Sequence, residues 1–115
     1  MVATGISSVM DVSTAFIRSD VDGAIEVVVN FGPLSGREAT LAEVDRLGRR
    51  LLATADRVTA HAIRSHDMSD DRETIVHQVV VEAVAPAACA EELRDICEAW
   101  AVECATERSV TPRGY

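Results

Sequence analysis

The spacing of apolar and polar residues changes along the chain, and each change marks an element. From Ala24 to Phe31 the period is two. Ile25, Val27, Val29 and Phe31 share one face, while Glu26, Val28 and Asn30 share the other, as in a half-buried strand. Before it, Thr14–Arg18 is another β-prone run, followed by Ser19-Asp20-Val21-Asp22-Gly23. Asp-Gly between two such runs predicts a hairpin, because glycine tolerates the positive φ that tight turns require.

Gly32-Pro33 ends this strand, and the period then lengthens. Leu41, Val44, Leu47, Leu51, Leu52, Ala55 and Val58 recur at helical spacing, forming one apolar stripe opposite arginines and acidic residues. Ser35-x-x-Glu38 and Thr40-x-x-Glu43 are two overlapping capping-box candidates for the start of this helix. Val58–His66 reads as a third strand, with a helix continuing through Ala60 as the alternative. Thr74–Val84, rich in β-branched residues, reads as a fourth. Pro86 suits the first position of a final helix, Ala87 to about Thr106, whose apolar stripe is Leu93, Ile96, Cys97, Trp100 and Cys104.

The predicted order is therefore ββαββα. A ferredoxin-like sandwich runs βαββαβ, and moving its last strand to the front yields the order seen here. The expected fold is α+β: a four-stranded antiparallel sheet with two helices on one face, a circularly permuted ferredoxin-like sandwich. A chain of 115 residues suits a single domain. We place it at residues 13–108, after a loose N-terminal segment (1–12) and before a frayed tail (109–115).

Composition narrows the function. Aromatics make up 3% of residues, so the core must be built from Val, Ile, Leu and Ala, and base-stacking platforms for single-stranded nucleic acid are scarce. The formal net charge is −8 and all 11 basic residues are Arg. Such a chain repels phosphate backbones. Arg46, Arg49, Arg50 and Arg57 are interleaved with Glu43, Asp45 and Asp56, which reads as a solvated helix face. No nucleic-acid partner is expected. No run reaches the roughly 18–20 apolar residues of a membrane span, and Met1–Val12 lacks the basic start and apolar run of a signal peptide. The three cysteines are an odd, closely spaced set, which argues against a disulfide framework and fits a reducing, cytoplasmic setting.

Familiar catalytic motifs for nucleotide binding, serine hydrolysis and zinc proteolysis are absent from the sequence. Cys89, Cys97 and Cys104 fall on one side of the last helix. Neighbours two turns apart are separated by roughly 11 Å, too far to share one ion. They read as core residues, with His77 on the helix side of the sheet, and no metal or cofactor is expected. The turn Asp67–Glu73 resembles part of a calcium loop but lacks its central Gly and distal Glu, and reads as a solvated turn.

The sheet face away from the helices carries the clearest functional signal. It is predicted to display Glu26, Val28 and Asn30, with Val76, Gln78, Val80, Glu82 and Val84 from the fourth strand. Arg18 and Arg64 are expected from the edge strands. A solvated face has no need of so many valines. Three readings compete. Two copies pack these faces together, as a homodimer or larger homo-oligomer, through Val28, Gln78 and Val80, with Arg–Glu pairs setting register. Alternatively the face binds a small polar molecule, Arg18 and Arg64 holding its carboxylate. Glu26 or Glu82 would then be the catalytic candidate, a base with pKa raised by partial burial. In the third reading it is a tolerant mixed surface. The first is the expectation carried forward: a non-catalytic assembly module.

Overall fold

The Asp22-Gly23 turn forms because Gly23 takes a φ of 79°. The turn is fastened on both sides. Gly23 N–H donates to the Ala85 carbonyl at 2.8 Å, and Asp22 Oδ1 accepts from Ala87 N–H at 2.5 Å. In the computed structural model, which describes residues 14–69 and 72–110, this turn joins β1 (Ala15–Val21) to β2 (Ala24–Val29). A short helix α1 (Phe31–Ser35) and a longer α2 (Leu41–Leu51) follow. Then come β3 (Arg57–Ser69), β4 (Arg72–Val84), a 3-10 turn (Ala87–Cys89) and α3 (Ala90–Val110). The four strands form one open antiparallel sheet in the order β1-β2-β4-β3, with the α+β character predicted.

The period-two reading of β2 decides which side is core. Ile25, Val27 and Val29 are buried, as are Val79, Val81 and Ala83 opposite them on β4. Against them pack Val44, Leu47 and Leu51 from α2 and Leu93, Cys97, Trp100, Ala101 and Cys104 from α3. The helices thus cover one face. Among the described residues, no helix is long and apolar enough to cross a membrane.

One aromatic cluster ties the helices together. The Trp100 indole N–H donates to the Glu43 carbonyl at 2.9 Å, and its ring lies 5.2 Å from the Phe31 ring. Arg37 sits over Phe31 and grips the Glu43 carboxylate with both guanidinium nitrogens, at 2.8 and 2.7 Å. Glu43 also closes the capping box predicted at Thr40: Thr40 Oγ1 accepts from Glu43 N–H, and Glu43 Oε1 accepts from Thr40 N–H. The other capping candidate fails. Ser35 lies at the end of α1, its hydroxyl donating to the Phe31 carbonyl.

Several boundaries differ from the periodicity. Phe31 is buried as predicted, but it opens α1 instead of ending β2. The helical stripe expected to run through Ala55 and Val58 stops at Leu51, where a turn intervenes. Asp56 N–H then donates to the Val84 carbonyl, so sheet pairing captures the backbone from that point. Leu41 and Leu52, expected in the buried stripe, are 89% and 52% exposed. Pro86 precedes the 3-10 turn, and α3 extends to Val110. The predicted N-terminal segment and the last five residues of the tail lie outside the described residues, as does the tip of the acidic turn at 70–71.

Two mid-chain glycines contrast. A Cβ at Gly32 would sit 3.1 Å from both the Cβ and backbone nitrogen of His77, so α1 approaches β4 closely there and any side chain would press on His77. Gly48, inside α2, has nothing within 4 Å of where a Cβ would lie. Glycine in a helix interior costs about 1 kcal/mol relative to alanine.

Arg37 and the cap hold the Glu43 carboxyl at about 2, against an ordinary 4.5. A depressed carboxyl contributes stability that is complete above its unfolded value and is lost as pH falls through the folded one. Urea unfolding at successive pH values should show this loss between about pH 5 and pH 2. Glu43→Gln should lower stability at pH 7 and flatten the acid slope. An unchanged slope would show that Glu43 is not the group responsible.

Candidate functional site

Strand register places the open face residue by residue. Phe16 pairs with Val28, Val28 with Val80, and Val80 with His61, so these four form one row across the whole sheet. Val28 and Val80 are 1% and 5% exposed although they lie outside the helix-side core. Both are thus already removed from solvent within a single chain. What remains open is the margin: Phe16 at 40% and Val84 at 42%, with Ile63 and Val76 half-buried.

Polar groups flank this row on both sides. Toward the β3–β4 turn, Gln78 Nε2 donates to Asn30 Oδ1 at 2.8 Å, and the Ser65 hydroxyl donates to Gln78 Oε1 at 2.9 Å. These bonds lock the amide across β2, β4 and β3. Toward the β1–β2 turn, Glu26 and Glu82 are direct cross-strand partners. Like charges so placed repel.

Arg18 offsets that repulsion. The β1–β2 register shifts between Ile17 and Ser19, so Arg18 occupies a bulge. Bulges re-aim side chains. Here Arg18 Nη2 donates to Glu26 Oε2 at 2.5 Å and also feels the charge of Glu82. Thr59 adds a long hydrogen bond of 3.4 Å to Glu82 Oε1. A shallow depression of about 400 Å3 opens here, with Glu26, Glu82, Thr59, Arg57 and Val84 among its lining residues.

Two expectations need correcting. Arg64 is not on this face: it pairs with His77, whose backbone packs against Gly32 of α1 on the helix side. The third strand begins at Arg57 and keeps one continuous register, so its odd-numbered residues face outward and Arg57 is its arginine on the open side. Arg18 and Arg64 therefore cannot hold one carboxylate together. The second correction concerns Glu26, whose pKa is lowered, not raised. The hydrogen bond from Arg18 outweighs desolvation. A carboxylate held below the usual range is a weaker base.

The structure also adds residues that sequence reasoning missed. Arg57, Thr59 and His61 could have been placed from the β3 alternation if its pairing register had been known. The bulge carries no such signal.

The cysteines lie where the helix stripe put them. Cys97 is fully buried, and burial pushes its thiol up to about 12. Cys104 is buried with Arg46 Nη2 at 3.3 Å, and burial raises its pKa too. Among the described residues, no three His, Cys, Asp or Glu side chains are grouped to hold a metal ion. No family model, curated protein or solved structure matches this chain.

Two outcomes follow from this geometry. In Arg18→Ala, the Glu26 carboxyl should return toward its ordinary range, seen as an upward move of its side-chain carbon titration by NMR; no movement would mean the ion pair is not formed in solution. A thiol reagent should label half-buried Cys89 first and reach Cys97 only on unfolding. A fast phase that survives Cys89→Ser would contradict the burial described.

Proposed function

We propose that this chain is a non-catalytic assembly module that self-associates through the open face of its sheet. One observation carries the reading. Around the apolar row of Phe16, Val28 and Val80, the charges balance: Arg18 and Arg57 accompany Glu26 and Glu82, on a chain whose net charge is −8. Two copies would repel over most of their surfaces and not over this one. Phe16 and Val84 supply the exposed apolar area that contact would remove from water.

The catalytic alternative loses its main supports. Its arginine pair is split between the two faces, and Glu26 is tied to Arg18. The depression beside Glu82 and Arg57 favours a second reading, in which the same face takes a small polar molecule.

Light scattering across a dilution series tests the proposal, with Phe16→Glu as the variant. Val80 is a poorer choice, since its near-complete burial within the chain would make a charge there disturb folding. The wild type should be a dimer or larger, and Phe16→Glu should weaken association by about tenfold or more, as expected for a charge placed in an apolar contact. A wild type that is monomeric at high micromolar concentration would overturn the proposal. So would an oligomer whose mass and dilution behaviour ignore Phe16→Glu.

A further inference from the structure

A basic corner lies on the helix side of the sheet, turned away from the open face. There Arg64 of β3 is the direct cross-strand partner of His77 of β4. Residues paired in this way have Cβ atoms about 4.5–5.5 Å apart. Their nearest neighbours along the two strands on that face are Ala62, His66, Ile75 and Val79, and none is acidic. His66 has an interaction of its own. The short helix α1, packed against His77, contains no ionisable side chain.

The pairing of Arg64 with a histidine departs from the habit of the chain. Arg18, Arg37, Arg46, Arg49, Arg50 and Arg94 each bind a carboxylate. Arg57 shares the open-face depression with Glu82. Arg64 is exposed and makes no hydrogen bond or ion pair with any described residue. Asp and Glu number 19 against 11 basic residues. A sequence with that surplus has acids to spare, yet supplies none among these neighbours.

His77 brings a second, independent observation. It lines a cavity of about 320 Å3 together with Gly32, Pro33, Gly36, Ile75 and Val76. Its Nδ1 is enclosed and has no hydrogen-bond partner among the described residues. Enclosed polar atoms are nearly always satisfied. With no acceptor at Nδ1, the neutral ring keeps its single proton on Nε2, so Nε2–H is the donor left to offer. A guanidinium and an imidazole N–H thus stand side by side at a cavity wall, and neither has an acceptor within the described chain.

We infer that this corner binds a small carboxylic acid with a short apolar body, in its carboxylate form. The Arg64 guanidinium takes the carboxylate through parallel N–H groups, and His77 Nε2–H donates to the same group. The body lies against Pro33 and Ile75, the latter 48% exposed. The lining decides the class. Apart from His77 it offers no polar side chain, so a sugar or a phosphate ester would leave several groups unpaired. The volume sits at the low end for ligand pockets, which keeps the molecule small. The site is independent of association through the open face, since it lies on the other side of the sheet.

NMR titration of the full chain with isovalerate tests the inference. Isovaleramide serves as the neutral isostere, and inorganic phosphate as an anion without an apolar body. Isovalerate should shift the backbone amides of Gly32, Gly36, Ile75 and His77 saturably, and side-chain nitrogen spectra should show the Nε2–H form of His77. Arg64→Gln should weaken binding by about tenfold or more while leaving the spectrum well dispersed, because Arg64 is exposed. Arg49→Gln, which changes the net charge equally, should bind as the wild type does. So should Phe16→Glu, whatever its effect on native mass, which separates this site from the open-face reading. Shifts that never saturate, or an Arg64→Gln chain that binds unchanged, would overturn the site. Equal binding of isovaleramide would do the same, since the cavity would then take the body without reading the carboxylate. Phosphate binding as tightly as isovalerate would reduce the corner to a general anion contact and reject the carboxylic acid.

Discussion

The helix layer depends on the indole of Trp100. In a chain with so few rings, this one residue reaches both other helices: its N–H bonds the Glu43 carbonyl of α2, and its face meets Phe31 of α1. Arg37 closes the circuit by covering Phe31 while binding Glu43. The remaining contacts between helices and sheet are mostly aliphatic, from Val, Ile, Leu, Ala and Cys, which pack well but orient weakly. Together with the Arg46–Glu107 and Arg50–Glu103 ion pairs, these directional bonds orient α2 against α3.

The open face has a corresponding centre of control in Arg18. Without it, Glu26 and Glu82 would stand side by side with no nearby opposite charge except at Arg57. The bulge in β1 costs a regular step of the ladder but turns Arg18 toward both carboxylates. The arrangement produces a low, stable negative charge on Glu26 rather than a basic carboxylate. A general base needs the opposite, a carboxylate whose proton affinity rises toward working pH. The face thus presents paired charges beside an apolar row.

Much of this was legible in the sequence. Strand period placed Glu26, Val28, Asn30, Gln78, Val80 and Glu82 on the open side, because β2 and β4 are central strands in which polar residues alternate with apolar ones near Glu26, Gln78 and Glu82. Thr40 with Glu43, Asp22-Gly23 and the Leu93–Cys97–Trp100–Cys104 stripe were equally readable, since each is a local pattern with a local cause. The failures share a different cause. Arg64 sits on an edge strand with small residues on one face and mixed residues on the other, so nothing in its pattern fixes parity. A one-residue choice of facing moves it across the sheet. The same weakness hid Thr59, whereas Arg57 was assigned to the helix face because the helical stripe was read past Leu51. Leu41 and Leu52 satisfy helical period as well as Leu47 does, yet they flank the core. Periodicity assigns an angle around the helix, while the breadth of the covering sheet decides how much of that arc is buried.

These misassigned leucines change how the charge of the chain is understood. A charge of −8 on 115 residues opposes contact between copies in most orientations. Such a field does not forbid association; it selects for surfaces where opposite charges are locally paired. The open face meets that condition through Arg18 and Arg57 beside Glu26 and Glu82, and the outer side of α2 through Asp45 and Arg49. Both also carry apolar residues left uncovered by the fold, Phe16 and Val84 in one case, Leu41 and Leu52 in the other. Other exposed apolar side chains are Val21 in the β1–β2 hairpin, Leu34 in α1, Ile75 in β4 and Val102 in α3, the last beside the Arg94–Glu98 ion pair. Net negative charge with locally paired exceptions thus disfavours most orientations in which two copies could meet and spares those that join paired surfaces.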